Sequence, residues 1–180
     1  MPSHHKGEET PELVKYNELS DTLTVKPRAL DITWGGDSRY WKISPGAGPA
    51  ELVQVSWLQV NGKAKLSYFK KDRDYAVRFR VELRPDNFGW GDRPVYLMSG
   101  VDGQRSWRKA DLGAKRPDEA FNIPMDRPLT FRVPVPSNYS NSAVVEFGLY
   151  EIWRGWWKGG LVIHEVVIEP VGPTLAGFQH

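Results

Sequence analysis

No cysteine occurs in the 180 residues, so disulfides and Cys-based zinc sites are excluded. No apolar stretch approaches the roughly 20 residues that a helix needs to cross a bilayer. The opening MPSHHKGEETPELVK lacks the apolar segment of a secretory signal peptide. These two absences predict a protein without a membrane span, resident in the cytosol or nucleus. Net charge is scarce too: 24 basic residues nearly balance 22 acidic ones, leaving +2 and no large field to hold a polyanion. Capped segments with a sustained helical period are missing. His4, His5, His164 and His180 fall in tails or singly on a strand, which yields neither a metal cluster nor a catalytic triad. There is no Walker loop, no Rossmann glycine pattern and no serine-nucleophile elbow. No metal, cofactor or catalytic residue is therefore expected.

What the chain does have is aromatic side chains: eight Trp, seven Tyr and seven Phe. Most should be core, because Trp and Tyr bury large areas, yet several stand beside Gly, Asp and Arg where the pattern reads as loop. Residues 1–27 are polar and poor in periodicity, and are expected to form a flexible tail. The structured domain spans 28–171 and a short C-terminal tail follows over 172–180. Apolar residues at every second position predict a strand over 30–34, and another over 40–43 after the turn at 35–37. A long strand is expected over 50–60, ended by a hairpin turn at Asn61-Gly62. The clearest alternation sets Tyr75, Val77, Phe79, Val81 and Leu83 inward against Ala76, Arg78, Arg80 and Glu82 outward. Asp102-Gly103 marks a hairpin between 95–98 and 105–112. Pro134 and Pro136 place the end of 129–135 at a sheet edge or beyond it, and strands at 144–153 and 161–168 complete the set. Many short strands separated by Gly, Pro and Asp turns predict an all-β, single-domain sandwich or barrel.

Candidate functional residues gather near the end of that last pair of strands. Val145, Phe147, Leu149 and Glu151 share one face of a regular strand, and an unpaired carboxylate inside an apolar core is heavily penalised. Glu151 is therefore expected at the rim. After it comes WRGWWKGG over 153–160, which places Trp156 and Trp157 in a glycine-bracketed loop. Trp34 likewise ends its strand face at Gly35-Gly36. A pyranose has an apolar face that packs on an aromatic ring and a hydroxyl edge that donates to carboxylate oxygens. The same residues also fit a structural role, which composition alone favours, with the rings filling the sandwich end and Glu151 paired to Arg154 or Lys158. Glu146 and Glu151 do not form a glycosidase pair, because an odd offset sends them to opposite faces. A basic cluster of Arg73, Arg78, Arg80 and Arg84, with Arg105, Arg108 and Lys109 farther on, leaves protein or RNA cargo as an alternative partner. Asn138-Tyr139-Ser140 fits a glycosylation sequon that has no secretory route to serve it.

Four segments together resemble the phloem protein two family, the Nictaba-like lectins. They are ALDITWGGDSRYWKI at 29–43, AELVQVSWLQVNGK at 50–63, PDNFGWGDRPV at 85–95 and VEFGLYEIWRGWWKGGLVIHEVVIEP at 145–170. The resemblance implies a β-sandwich of jelly-roll type. It also implies non-catalytic, metal-free binding of N-acetylglucosamine oligomers, N-glycan cores and the glycoproteins that carry them. It assigns binding to Trp34, Trp41 and Glu151. A second carboxylate expected about seven residues before Glu151 falls on Val144, and a ring expected two residues after the Tyr-Trp pair falls on Ile43. Phloem sap joins the cytosol and nucleus as an implied location, and a homodimer is left open.

Overall fold

The computed structural model describes residues 3–113, 115–135 and 143–172. The sequon at Asn138 and the tail from 173 onward lie outside those residues. Among the described residues thirteen strands carry the fold: β1 (Val14–Asn17), β2 (Thr22–Val25), β3 (Asp31–Ile32), β4 (Trp41–Ile43), β5 (Ala50–Leu52), β6 (Leu58–Lys65), β7 (Arg73–Phe88), β8 (Val95–Val101), β9 (Gln104–Ala110), β10 (Phe121–Ile123), β11 (Leu129–Val133), β12 (Val144–Glu151) and β13 (Gly159–Pro170).

They form two antiparallel sheets. One runs β3-β6-β12-β8-β9. In the other, β13 is central: β2 and β5 pair with one edge, β7 with the opposite edge, and β7 passes on to β10 and β11. The four-strand runs β5-β13-β7-β11 and β6-β12-β8-β9 face each other with the connectivity of two Greek keys, which makes this a jelly-roll sandwich.

Alternation builds the core between the sheets. Tyr75, Val77, Phe79, Val81 and Leu83 of β7 are buried as their pattern predicts, and Val145, Phe147 and Leu149 of β12 meet them from the other sheet. On β13 the inward set begins as Leu161 and Ile163 and resumes as Val166 and Ile168. A register shift between Ile163 and Glu165 changes the phase, so His164 and Glu165 are half-buried rather than core. Among the described residues β11 pairs only with β7, so the Pro134 end of that strand stands at a sheet edge.

Three expectations need correction. The segment expected to be a flexible tail contains the β1–β2 hairpin, whose β2 pairs with β13 while Leu13, Leu23 and Val25 are buried. Its apolar residues are too few to show as a period, but Leu13, Leu23 and Val25 are buried all the same. The strand expected over 30–34 ends at Ile32, because Trp34 takes a positive φ of 64° and the chain turns. The strand expected over 50–60 is two pieces, β5 and β6, and Asn61-Gly62 lies inside β6 rather than in a hairpin turn. Gly62 is there for space: a Cβ would stand 2.2 Å from Cε2 of Phe147.

Candidate functional site

The loop 152–157 crosses the end of the sandwich, leaving β12 at Glu151 and returning at Lys158, just before β13. Both bracketing residues are buried charges, Glu151 2% exposed and Lys158 fully enclosed. Lys158 is held by its backbone, which exchanges two 2.9 Å hydrogen bonds with Val55. Its ammonium donates to the carbonyls of Ser56 (3.0 Å) and Trp156 (2.8 Å). Burial lowers its pKa from the usual lysine value, and the nearby Glu151 carboxylate works against that shift.

Glu151 has no such partners. It continues the inward face of Val145, Phe147 and Leu149, so its side chain enters the sandwich rather than standing at the rim as expected. Neither carboxylate oxygen has a hydrogen-bond partner among the described residues, so neither Arg154 nor Lys158 bonds to it. Among the described residues, five buried side-chain polar atoms lack a partner. Four are at this end of the sandwich: both Glu151 oxygens and the indole Nε1 atoms of Trp41 and Trp156.

The same loop joins an aromatic row through Trp157. Trp34 lies 5.3 Å from Tyr40, centroid to centroid, and Tyr40 stacks on Trp157 at 6.5 Å with 22° between the planes. Trp157 is half exposed, while Trp34 and Tyr40 are partly buried. Each ring is set by its own turn. Trp34 sits in the left-handed region with its N–H donating to Nδ1 of His4 (2.9 Å). At Tyr40 the N–H donates to the Asp37 carbonyl (3.0 Å) and the ring lies beneath the Arg39 guanidinium. The Trp157 turn is backed by Gly89, at φ +90°, where a Cβ would be 2.4 Å from the Trp157 carbonyl oxygen. Next to Trp157 in sequence, the Trp156 ring carries the guanidinium of Arg93 at 3.9 Å and that of Arg154 at 5.5 Å from its centroid.

The structure thus brings Trp34, Trp156, Trp157 and Glu151 to one end of the fold, and Trp41 with them but on the inside. The Trp41 ring is 2% exposed and belongs to the core, so it offers no open face for stacking. Tyr40, its neighbour, was not singled out from sequence, although strand alternation places it opposite Trp41. Val144 begins β12 seven residues from Glu151, roughly 23 Å along an extended strand, so a carboxylate there would not share this site. Ile43 packs partly buried against the core.

A sequence model of the phloem protein 2 family matches residues 20–170. Protein PHLOEM PROTEIN 2-LIKE A9 of Arabidopsis thaliana is 35% identical over 179 residues, covering 94% of this chain and 97% of that one. A lectin of Luffa acutangula is 27% identical, covering 86% of this chain and 73% of its own, and a lectin of Coccinia grandis is 23% identical, covering 79% and 91%.

Proposed function

The chain belongs to the phloem protein 2 family, and on that premise we propose that it is a non-catalytic lectin for N-acetylglucosamine oligomers and N-glycan cores. Under this reading it acts in the cytosol, nucleus or phloem sap. The observation that carries the reading is the set of four orphaned polar atoms together with an aromatic row. Two are acceptors on a carboxylate and two are indole donors. A partner for all of them must both donate and accept hydrogen bonds, as sugar hydroxyls and an acetamide do. Trp34, Tyr40 and Trp157 supply faces for the apolar side of a pyranose. Glu151 takes a hydroxyl or amide proton, in a charge-assisted bond that burial strengthens. Because Glu151 is enclosed, the loop 152–157 gives way as the sugar enters, and Trp156 moves with it. Trp41 serves from beneath, through its indole N–H rather than its face.

The test is a glycan array on the purified protein, followed by titration with chitotriose. Trp157→Ala and Glu151→Gln should each weaken binding by about 1–3 kcal/mol, the range of other aromatic stacking sites, while the thermal melt stays that of the parent. A parent that binds no glycan would end the lectin reading. Parent-like binding by both variants would move the site elsewhere.

A further inference from the structure

The outward face of the β3-β6-β12-β8-β9 sheet is not the polar surface that an exposed sheet face usually presents. Register puts three rows across it. Gln59, Tyr150, Tyr96 and Lys109 form the first, and Asn61, Gly148, Met98 and Trp107 the second. Lys63, Glu146, Gly100 and Arg105 form the third. Trp153, delivered by the loop 152–157, folds back over the first two rows. Its ring meets Tyr96 at 4.9 Å and Trp107 at 6.4 Å, and Trp107 meets Tyr150 at 5.6 Å. Trp153 and Trp107 remain 56% and 43% exposed.

Beside the rings runs a chain of amides. Trp57 Nε1 donates to Gln59 Oε1 (2.8 Å), Gln59 Nε2 to Asn61 Oδ1 (3.0 Å), and Asn61 Nδ2 to the Tyr150 hydroxyl. Each amide keeps a second N–H for a ligand.

We propose that this face is a second saccharide-contacting surface, which extends the loop-end site so that one uncharged oligosaccharide runs from Trp157 over Trp153 onto Trp107. The inference rests on the lectin reading for its ligand class. Charge favours a neutral occupant. On β6, β12, β8 and β9 the rows hold three cations and one carboxylate, Glu146, which lies 3.7 Å from Arg105; Asp31 of β3 adds a second carboxylate at the far end of the middle row, which carries no charge from Asn61 to Trp107. Continuity supports the extension, since one loop carries Trp157 into the first site and Trp153 onto this face.

The experiment compares chitotriose with chitohexaose on the full chain, by calorimetry and by the indole N–H signals of the eight tryptophans. Trp107→Phe and Trp153→Phe supply the assignments. Chitohexaose should bind the parent at least fivefold more tightly than chitotriose and shift the Trp107 and Trp153 signals. In Trp107→Ala/Trp153→Ala that length advantage should vanish while chitotriose affinity holds. The parent's indole shifts decide the matter even if the double variant folds poorly. Chitohexaose binding that leaves both signals unmoved, or a length advantage that survives the double variant, overturns the extension and leaves the loop-end site standing. Absence of any saccharide binding overturns both. Movement of these signals with poly(U) or with protein concentration alone, and not with sugar, would give the face to a different partner.

Discussion

Tyr40 and Trp41 are neighbours in sequence, and the one peptide between them separates the surface from the core. Trp41 begins β4 and points inward; Tyr40, one residue earlier, lies in the exposed ring row. Removing the buried indole leaves a large cavity. Trp41→Ala is therefore expected to cost about 3–5 kcal/mol in urea unfolding, and a loss under about 1 kcal/mol would contradict the packing described. Weakened glycan binding by that variant would follow from instability, so it says little about contact. The sequence does contain the answer for this pair, because residues 41 and 43 share a strand face and 40 and 42 share the other. What it conceals is which face is inward, since the strand is three residues long and both candidates are rings. Trp34 failed differently. Its spacing from Leu30 and Ile32 continues a strand period, and only the backbone, with φ at 64°, shows that the period has already ended. Glu151 was legible as a carboxylate on a core face. That it would enter the core unpartnered was not, because the expected penalty argued for the rim.

The β1–β2 hairpin shows how an element can be decisive without being periodic. Asp21 stands at its turn with φ 53° and is nearly enclosed. Its carboxylate accepts from the hydroxyls of Tyr16 and Tyr75, each at 2.6 Å, and Arg73 approaches to 3.4 Å. These bonds fasten the turn to the start of β7. They also keep Tyr16 protonated, with its pKa pushed up to about 12 by the hydrogen bond to Asp21. Read as composition, the segment is a polar tail. Read as contacts, it buries Leu13, Leu23 and Val25 and covers an edge of β13. Deleting residues 1–25 should therefore lower the thermal midpoint by about 10 °C or more, since three buried aliphatic side chains are worth several kcal/mol. An unchanged midpoint would return the segment to the status of a tail. Asn61-Gly62 shows the converse error: a strong turn pair is overruled within β6 because Phe147 needs the space beside Gly62.

Charge on the whole molecule bears on the RNA alternative. Two arginines on the β7 face are paired, Arg78 with Glu169 and Arg84 at 3.7 Å from Asp118, while Glu165, in register with Arg80, pairs with Lys26. Poly(U) should accordingly bind weakly and be released at about 0.15 M salt, whereas chitotriose affinity should be indifferent to salt. Tight, salt-steep RNA binding with no response to chitotriose would replace the lectin reading. At this scale the sequence was most legible, because strand alternation and turn residues together specify two packed sheets. The strand order was implied by the family resemblance alone, since pairing partners such as β2 and β13 stand over 130 residues apart. That separation has a consequence for synthesis. A ribosome releases β2, β5 and β7 long before β13, the strand that pairs one edge of each. Until residues through 170 emerge, those nascent strands present unpaired edges to every neighbouring chain. The interval of greatest aggregation hazard is thus set by the order in which this jelly roll is made.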